Sequence, residues 1–134
     1  MGALTIDASV AVRIVRDGST HASTLDRISA ADAVYAPSLF VVETANALWK
    51  YVKANLLSDA DAIVMHQNAS MLIDRSVENA ELFPEALVLA AQTGHPVYDS
   101  LYLVTARRTG STLLTFDKVL AKIARKLDID VEMD

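Results

Sequence analysis

Short apolar runs alternate with longer stretches of helical periodicity along the whole chain. This alternation limits the possible fold more than any other feature. Ala3 to Ile6 reads as a buried strand ended by Asp7, and Ala8 to Arg16 follows as a helix broken at Asp17-Gly18-Ser19. Thr20 to Ala31 reads as a second helix with Leu25 and Ile28 on one face, and Ala33 to Ala36 as a strand stopped by Pro37. Ser38 is placed to cap a long helix from Leu39 to Ala54, and Ser58 opens another that runs to about Leu72. Asp74 to Glu78 reads as a short strand. The helix expected from Glu81 to Thr93 carries Pro84 in its first turn, where proline is tolerated. Tyr98 to Arg108 is a helix closed by Gly110, Ser111 to Thr115 a strand, Lys118 to Leu127 a helix, and Ile129 to Val131 a last short strand. Strands separated by helices require crossover connections and a mainly parallel sheet, so the expected class is α/β.

The chain is expected to form one domain over residues 1–134: no repeat or linker divides it, and this length buries a full core. Its 52% apolar content excludes disorder, and with no cysteine it has no disulfides or thiolate metal sites. No apolar run is long enough for a membrane span, no signal-peptide pattern begins the chain, and Ile6 stands where a myristoylation signal needs Ser or Thr. A cytoplasmic location is expected. The formal charge of −5 counts against broad electrostatic affinity for nucleic acid, though clustered acids could produce it while serving a metal site.

Four acids stand out. Asp7 and Asp117 lie at or just past the carboxyl ends of strands, which is where open parallel sheets bind ligands. Asp99 begins a helix, and Glu43 lies deep inside one, with Leu39 and Phe40 on its own side and Asn46 on the same face. Val42, Ala45 and Trp49 mark an apolar stripe on that helix. Each aspartate, taken singly, is explained by helix capping. Glu43 is not: taken alone it is either a surface acid or a buried one, and a carboxylate among apolar neighbours is costly to bury unless it is paired or binds a cation.

The other polar residues have plainer explanations. Asp59 and Asp61 suit a helix start, Asp74 a surface turn, and Asp128, Asp130, Glu132 and Asp134 a solvated tail. His21, His66 and His95 lack zinc spacing, no glycine-rich phosphate loop is present, and Ser9 and Ser38 have no nucleophile-elbow setting. Carboxylates without His or Cys partners select hard cations, Mg²⁺ or Mn²⁺, and such ions can promote phosphodiester hydrolysis.

The segments ALTIDASV, APSLFVVETANALWK, GHPVYDSLYLVTARR and GSTLLTFDKVL, in this order, resemble the PIN-domain family and, within it, the VapC-type toxin ribonucleases. The resemblance covers nearly the whole chain. It implies a three-layer α/β/α sandwich and four acids, here Asp7, Glu43, Asp99 and Asp117, that bind Mg²⁺ or Mn²⁺ and hydrolyse RNA. On this reading Asp7, Asp99 and Asp117 hold the principal metal, and Glu43 completes the cluster or positions the attacking water. Thr115 and Asn46 match supporting polar positions. The resemblance also implies a homodimer and a cognate antitoxin that blocks the site. An exposed apolar patch including Trp49 or Tyr51 would suit such contacts.

Arg13, Lys50, Arg107, Arg108 and Lys118 lie near the motif segments and could touch RNA phosphates, although a solvated helix face explains them more simply. Two rival functions are a non-catalytic PIN-like module that binds RNA or a partner, and an aspartyl-phosphate protein. The second lacks support: a phosphatase usually has Asp-x-Asp after its first strand, where this chain has Ser9, and a receiver needs an early acid pair.

Overall fold

A computed structural model describes residues 2–133, so the expectation for Asp134 lies outside the described residues. The elements run β1 (Leu4–Ile6), α1 (Ala8–Asp17), a 3-10 turn (Gly18–His21), α2 (Ala22–Ser29), β2 (Val34–Pro37), α3 (Leu39–Lys53), α4 (Asp59–Ser70), β3 (Arg75–Val77), α5 (Asn79–Thr93), α6 (Val97–Thr109), β4 (Thr112–Thr115), α7 (Lys118–Lys126) and β5 (Val131–Met133).

All five strands pair in parallel, in the order β3-β2-β1-β4-β5. Leu4 sits opposite both Val34 and Thr112, so β1 is central and buried on both faces, as its apolar run requires. The chain winds outward from β1 to β3, then crosses back to β4 and winds outward the other way. Right-handed crossovers therefore put α1 to α4 on one face and α5 to α7 on the other, giving the expected three-layer sandwich. Packing agrees: α1 lies against α3 and α4, and α5 against α6. The core fills the space on both sides of β1 and β4, from Leu4, Ile6, Val10 and Phe40 on to Leu101, Leu103, Leu113 and Leu120.

The reversal of winding direction falls between β1 and β4. At such a switch point the loops leaving neighbouring strands part to opposite faces and leave a crevice at the carboxyl ends. Asp7 follows β1 directly and Asp117 follows β4 by one residue.

Local geometry departs from the sequence reading in several places. The second helix starts at Ala22, because the residues before it wind into the tighter 3-10 turn, and its buried residues are Thr24 and Ile28, with Leu25 turned outward. Ser38 does not cap α3 with its own side chain. Instead Asn79 Oδ1 accepts from Leu39 N at 3.0 Å, while Ser38 Oγ accepts from Asn79 N at 2.9 Å, so two helix starts side by side cap each other. That exchange starts α5 at Asn79, two residues early, and leaves Pro84 inside the helix, past its first turn. The last strand begins at Val131, because Asp128 adopts a left-handed φ of 56° that turns the chain and drops Ile129 into the core. Glu132 is part of that strand and forms an ion pair with Arg27 at 3.1 Å. Asp74 is a tie between strands, its Oδ2 accepting from Val34 N at 2.8 Å.

The stripe Val42-Ala45-Trp49 faces solvent, with Trp49 52% exposed. The inward face of α3 is Phe40, Thr44 and Leu48 instead, one position out of phase. Glu43 is therefore beside the buried face. Among the described residues no helix is long and apolar enough to cross a membrane.

Candidate functional site

Asp7 is positioned by the turn from β1 into α1. Its Oδ1 accepts from Val10 N at 3.2 Å, which caps α1, and from Ser9 Oγ at 2.5 Å. Its Oδ2 accepts a short hydrogen bond from Thr115 Oγ1 on β4. Thr115 Oγ1 in turn accepts from Asp117 N at 2.9 Å. One hydroxyl thus ties the ends of β1 and β4 together and fixes the start of the next helix. Asp117 Oδ1 then caps α7 by accepting from Val119 N at 2.9 Å and Leu120 N at 3.2 Å.

The capping account fits these two aspartates and stops there. Asp99 is the third residue of α6, whose N-cap is Pro96, and it caps nothing by its side chain. Its place in the first turn still suits the positive end of the helix dipole. Glu43 reaches in from α3 and accepts a hydrogen bond on Oε1 from Tyr102 Oη at 2.6 Å. Tyr102 is three residues after Asp99, on the same side of α6. The spacing that puts Glu43 and Asn46 on one face could have picked out Tyr102 as well.

All four acids line one pocket of about 140 Å³, completed by Ala8, Ser9, Tyr102 and Leu120. Asn46 is exposed and is not part of that lining; Thr115 acts on it from behind, through Asp7. Ser9, which sequence reasoning weighed only as a nucleophile, is a donor to Asp7.

The acids feel one another. Burial pushes the Asp7 carboxyl above its ordinary value, its three hydrogen-bond donors pull it back, and the charge of Asp117 adds to the rise. Burial also raises Glu43; Tyr102 opposes that, and Asp99 and Asp7 add to it. Asp99 rises through burial and the charges of Asp117 and Asp7, with His95 pulling the other way. The Tyr102 hydroxyl is pushed far up by burial and by Glu43, so it is a fixed donor.

Mutual repulsion of this kind is relieved by a cation. Among the described residues no three acidic or imidazole groups are gathered tightly enough to hold one ion between them as they stand. The fit lies in donor chemistry: four carboxylates around one pocket offer oxygen alone. Mg²⁺ keeps several waters and is held through one or two carboxylates, so it does not need a dry protein cage.

Known proteins share both the sequence pattern and the architecture. A Pyrobaculum aerophilum protein named Ribonuclease VapC3 is 29% identical over 121 residues, spanning 89% of this chain and 92% of that protein. The crystal structure of VapBC2 from Rickettsia felis, bound to a DNA fragment from their promoter, superposes with a TM-score of 0.71 at 11% identity, covering 98% of each chain. That of FitAcB from Neisseria gonorrhoeae gives 0.64 at 19% identity, covering 98% of this chain and 96% of that one. At such identities the structural likenesses speak for the fold alone. The sequence model of the PIN domain matches residues 4–126, from the first residue of β1 to the last of α7, and so takes in every acid of the pocket: the chain belongs to the PIN domain family.

Proposed function

We propose that this protein is a metal-dependent endoribonuclease and the toxin of a type II toxin–antitoxin pair. The observation that carries this reading is the convergence of Asp7, Glu43, Asp99 and Asp117, from four separate segments, on one pocket at the sheet's switch point. Helix capping does not require that convergence.

Asp7, Asp99 and Asp117 would hold Mg²⁺ or Mn²⁺. When bound, such an ion supplies water activation and charge stabilisation on a phosphodiester. The chain's own residues set the frame. Thr115 and Ser9 hold Asp7 by both of its oxygens, so its orientation survives the repulsion of its neighbours. Tyr102 fixes Glu43 through Oε1 and leaves Oε2 without a hydrogen bond among the described residues. A half-buried carboxyl with a raised proton affinity, anchored at one oxygen, is suited to take a proton from the attacking water or to orient it. The name of the Pyrobaculum relative and the family membership support RNA as substrate. The exposed apolar side chains Val42, Trp49 and Ile63 on α3 and α4 support docking of an antitoxin and a second copy.

Cleavage of single-stranded RNA by the purified chain with Mn²⁺, abolished by chelator and by Asp99→Asn, is the expected result. RNA binding without metal-dependent cleavage would favour the non-catalytic module instead.

A further inference from the structure

The basic residues singled out in the sequence fall into two groups. Arg107 and Arg108 are both engaged by Glu85, at 3.2 and 2.9 Å. Arg13, Lys50 and Lys118 have no ion pair among the described residues. Arg13 and Lys50 both line a cleft of about 460 Å³ between α1 and α3. Helical spacing builds it: Ser9, Val12 and Arg13 line it from α1, and Ala47, Lys50 and Tyr51 from α3. Ser9 also lines the acidic pocket, so the cleft and the pocket adjoin there.

Both rings near the cleft carry a cation. The Arg16 guanidinium lies 3.7 Å from the centre of the Tyr51 ring, and that of Arg13 lies 4.5 Å from the centre of Phe116, the residue before Asp117. Arg13 therefore stands between the cleft and the end of β4.

Size and charge sort the two cavities. At about 140 Å³ the acidic pocket suits ions, water and phosphate oxygens. The cleft, at about 460 Å³, is in the range of small-molecule sites, roughly 300–1,000 Å³. A polyanion drawn to a pocket of four acids needs positive charge alongside, and an apolar wall with an aromatic ring suits a base. Resting on the nuclease reading above, we infer that the α1–α3 cleft receives the nucleotide next to the scissile phosphate of single-stranded RNA. Its base packs on Tyr51 from the side that Arg16, which does not line the cleft, leaves uncovered, and its flanking phosphates are held by Arg13 and Lys50.

The test measures binding in chelator, where cleavage is off and a cleft that works by charge must still hold RNA. The probes are a fluorescein-labelled oligouridylate of about eight nucleotides and an abasic ribose-phosphate strand of equal length. Arg13→Ala and Lys50→Ala are each expected to weaken oligouridylate about tenfold and to lower the salt slope by about 0.7. Tyr51→Ala is expected to weaken oligouridylate about tenfold and leave the abasic strand unchanged. Lys126→Ala, at the far end of α7 from Asp117, should bind as wild type, and melting curves verify that each variant is folded. Wild-type binding in the Arg13 and Lys50 variants, or no binding by wild type itself, overturns the cleft. Equal loss for both strands in Tyr51→Ala overturns the base site. A wild type that binds as expected but never cleaves with Mn²⁺ defeats the nuclease reading alone. One that cleaves normally in all three variants defeats the cleft alone.

Discussion

The Tyr102 hydroxyl donates to Glu43 Oε1 at 2.6 Å, joining residues 59 positions apart and setting the only side chain of α3 that lines the acidic pocket. Tyr102→Phe removes that donor without opening a large void. Glu43 then loses the bond that restrains its proton affinity, so its pKa rises further. The acid limb of the pH–rate profile should move to higher pH. Stability near neutral pH should fall by about 1 kcal/mol, allowing for solvent screening at a half-buried carboxylate. Rates across pH and urea melts check both, and an unmoved acid limb would remove Glu43 from the reaction.

Asp99→Asn and Asp117→Ala should act oppositely on the metal-free protein. Asp117 caps α7 through two backbone N–H groups, so Asp117→Ala should cost about 1 kcal/mol. Asp99 makes no cap and carries a burial penalty plus repulsion, so Asp99→Asn should leave the metal-free protein equally or more stable. Both variants should show a smaller Mn²⁺-induced rise in melting temperature than wild type. Melts with chelator and with Mn²⁺ decide; a clearly destabilised metal-free Asp99→Asn would return that residue to a structural role.

The metal-free protein should become more stable as pH falls from neutral toward the ordinary carboxylate range. Asp7, Glu43 and Asp99 all have folded-state pKa values raised above 3.8, 4.5 and 3.8. A raised carboxyl contributes stability fully below its unfolded value and loses it as pH climbs through the folded value. Glu85 has the opposite sign: Arg108 and Arg107 hold it below 4.5, so its contribution is lost only at more acid pH. The two effects oppose each other, so stability peaks where they balance, around the ordinary carboxylate range. Melting temperature against pH in chelator should show that maximum, and Asp7→Asn should flatten its alkaline side; a wild-type curve that rises steadily toward neutral pH would contradict the burial of these charges.

Pro84 is in the interior of α5 with no N–H for the helix, at an exposed position. Pro84→Ala should restore a backbone hydrogen bond and stabilise the fold by about 1 kcal/mol or more, readable in urea midpoints. Asn79→Ala should cost about 1 kcal/mol by uncovering the N-terminus of α3, although residue 79 belongs to a different helix. A neutral Asn79→Ala would mean that water replaces the cap.

Much of the architecture was readable from one dimension. Alternating strand and helix patterns are local, and parallel pairing follows from the length of the connections, so β1, β4 and the order of the helices between them follow the periodicity, while the starts of α2 and α5 do not. The same logic placed Asp7 and Asp117 at the carboxyl edge, since Asp7 follows β1 directly and only Phe116 separates Asp117 from β4. Other features depended on contacts between distant segments, to which local patterns are blind. The phase of α3 was decided by packing: Thr44 is buried with its hydroxyl bonded to the Phe40 carbonyl, while Val42 and Trp49 face water. The exchange between Ser38 and Asn79 arises only because two helix starts meet in space. Tyr102 and Ser9 line the acidic pocket for the same reason: each donates to an acid that the fold, and not sequence neighbourhood alone, brings there. Four acids in series were visible in the sequence, but their shared pocket, and the repulsion that burial within it creates, exist only once β1 and β4 lie side by side and α3 and α6 close over them.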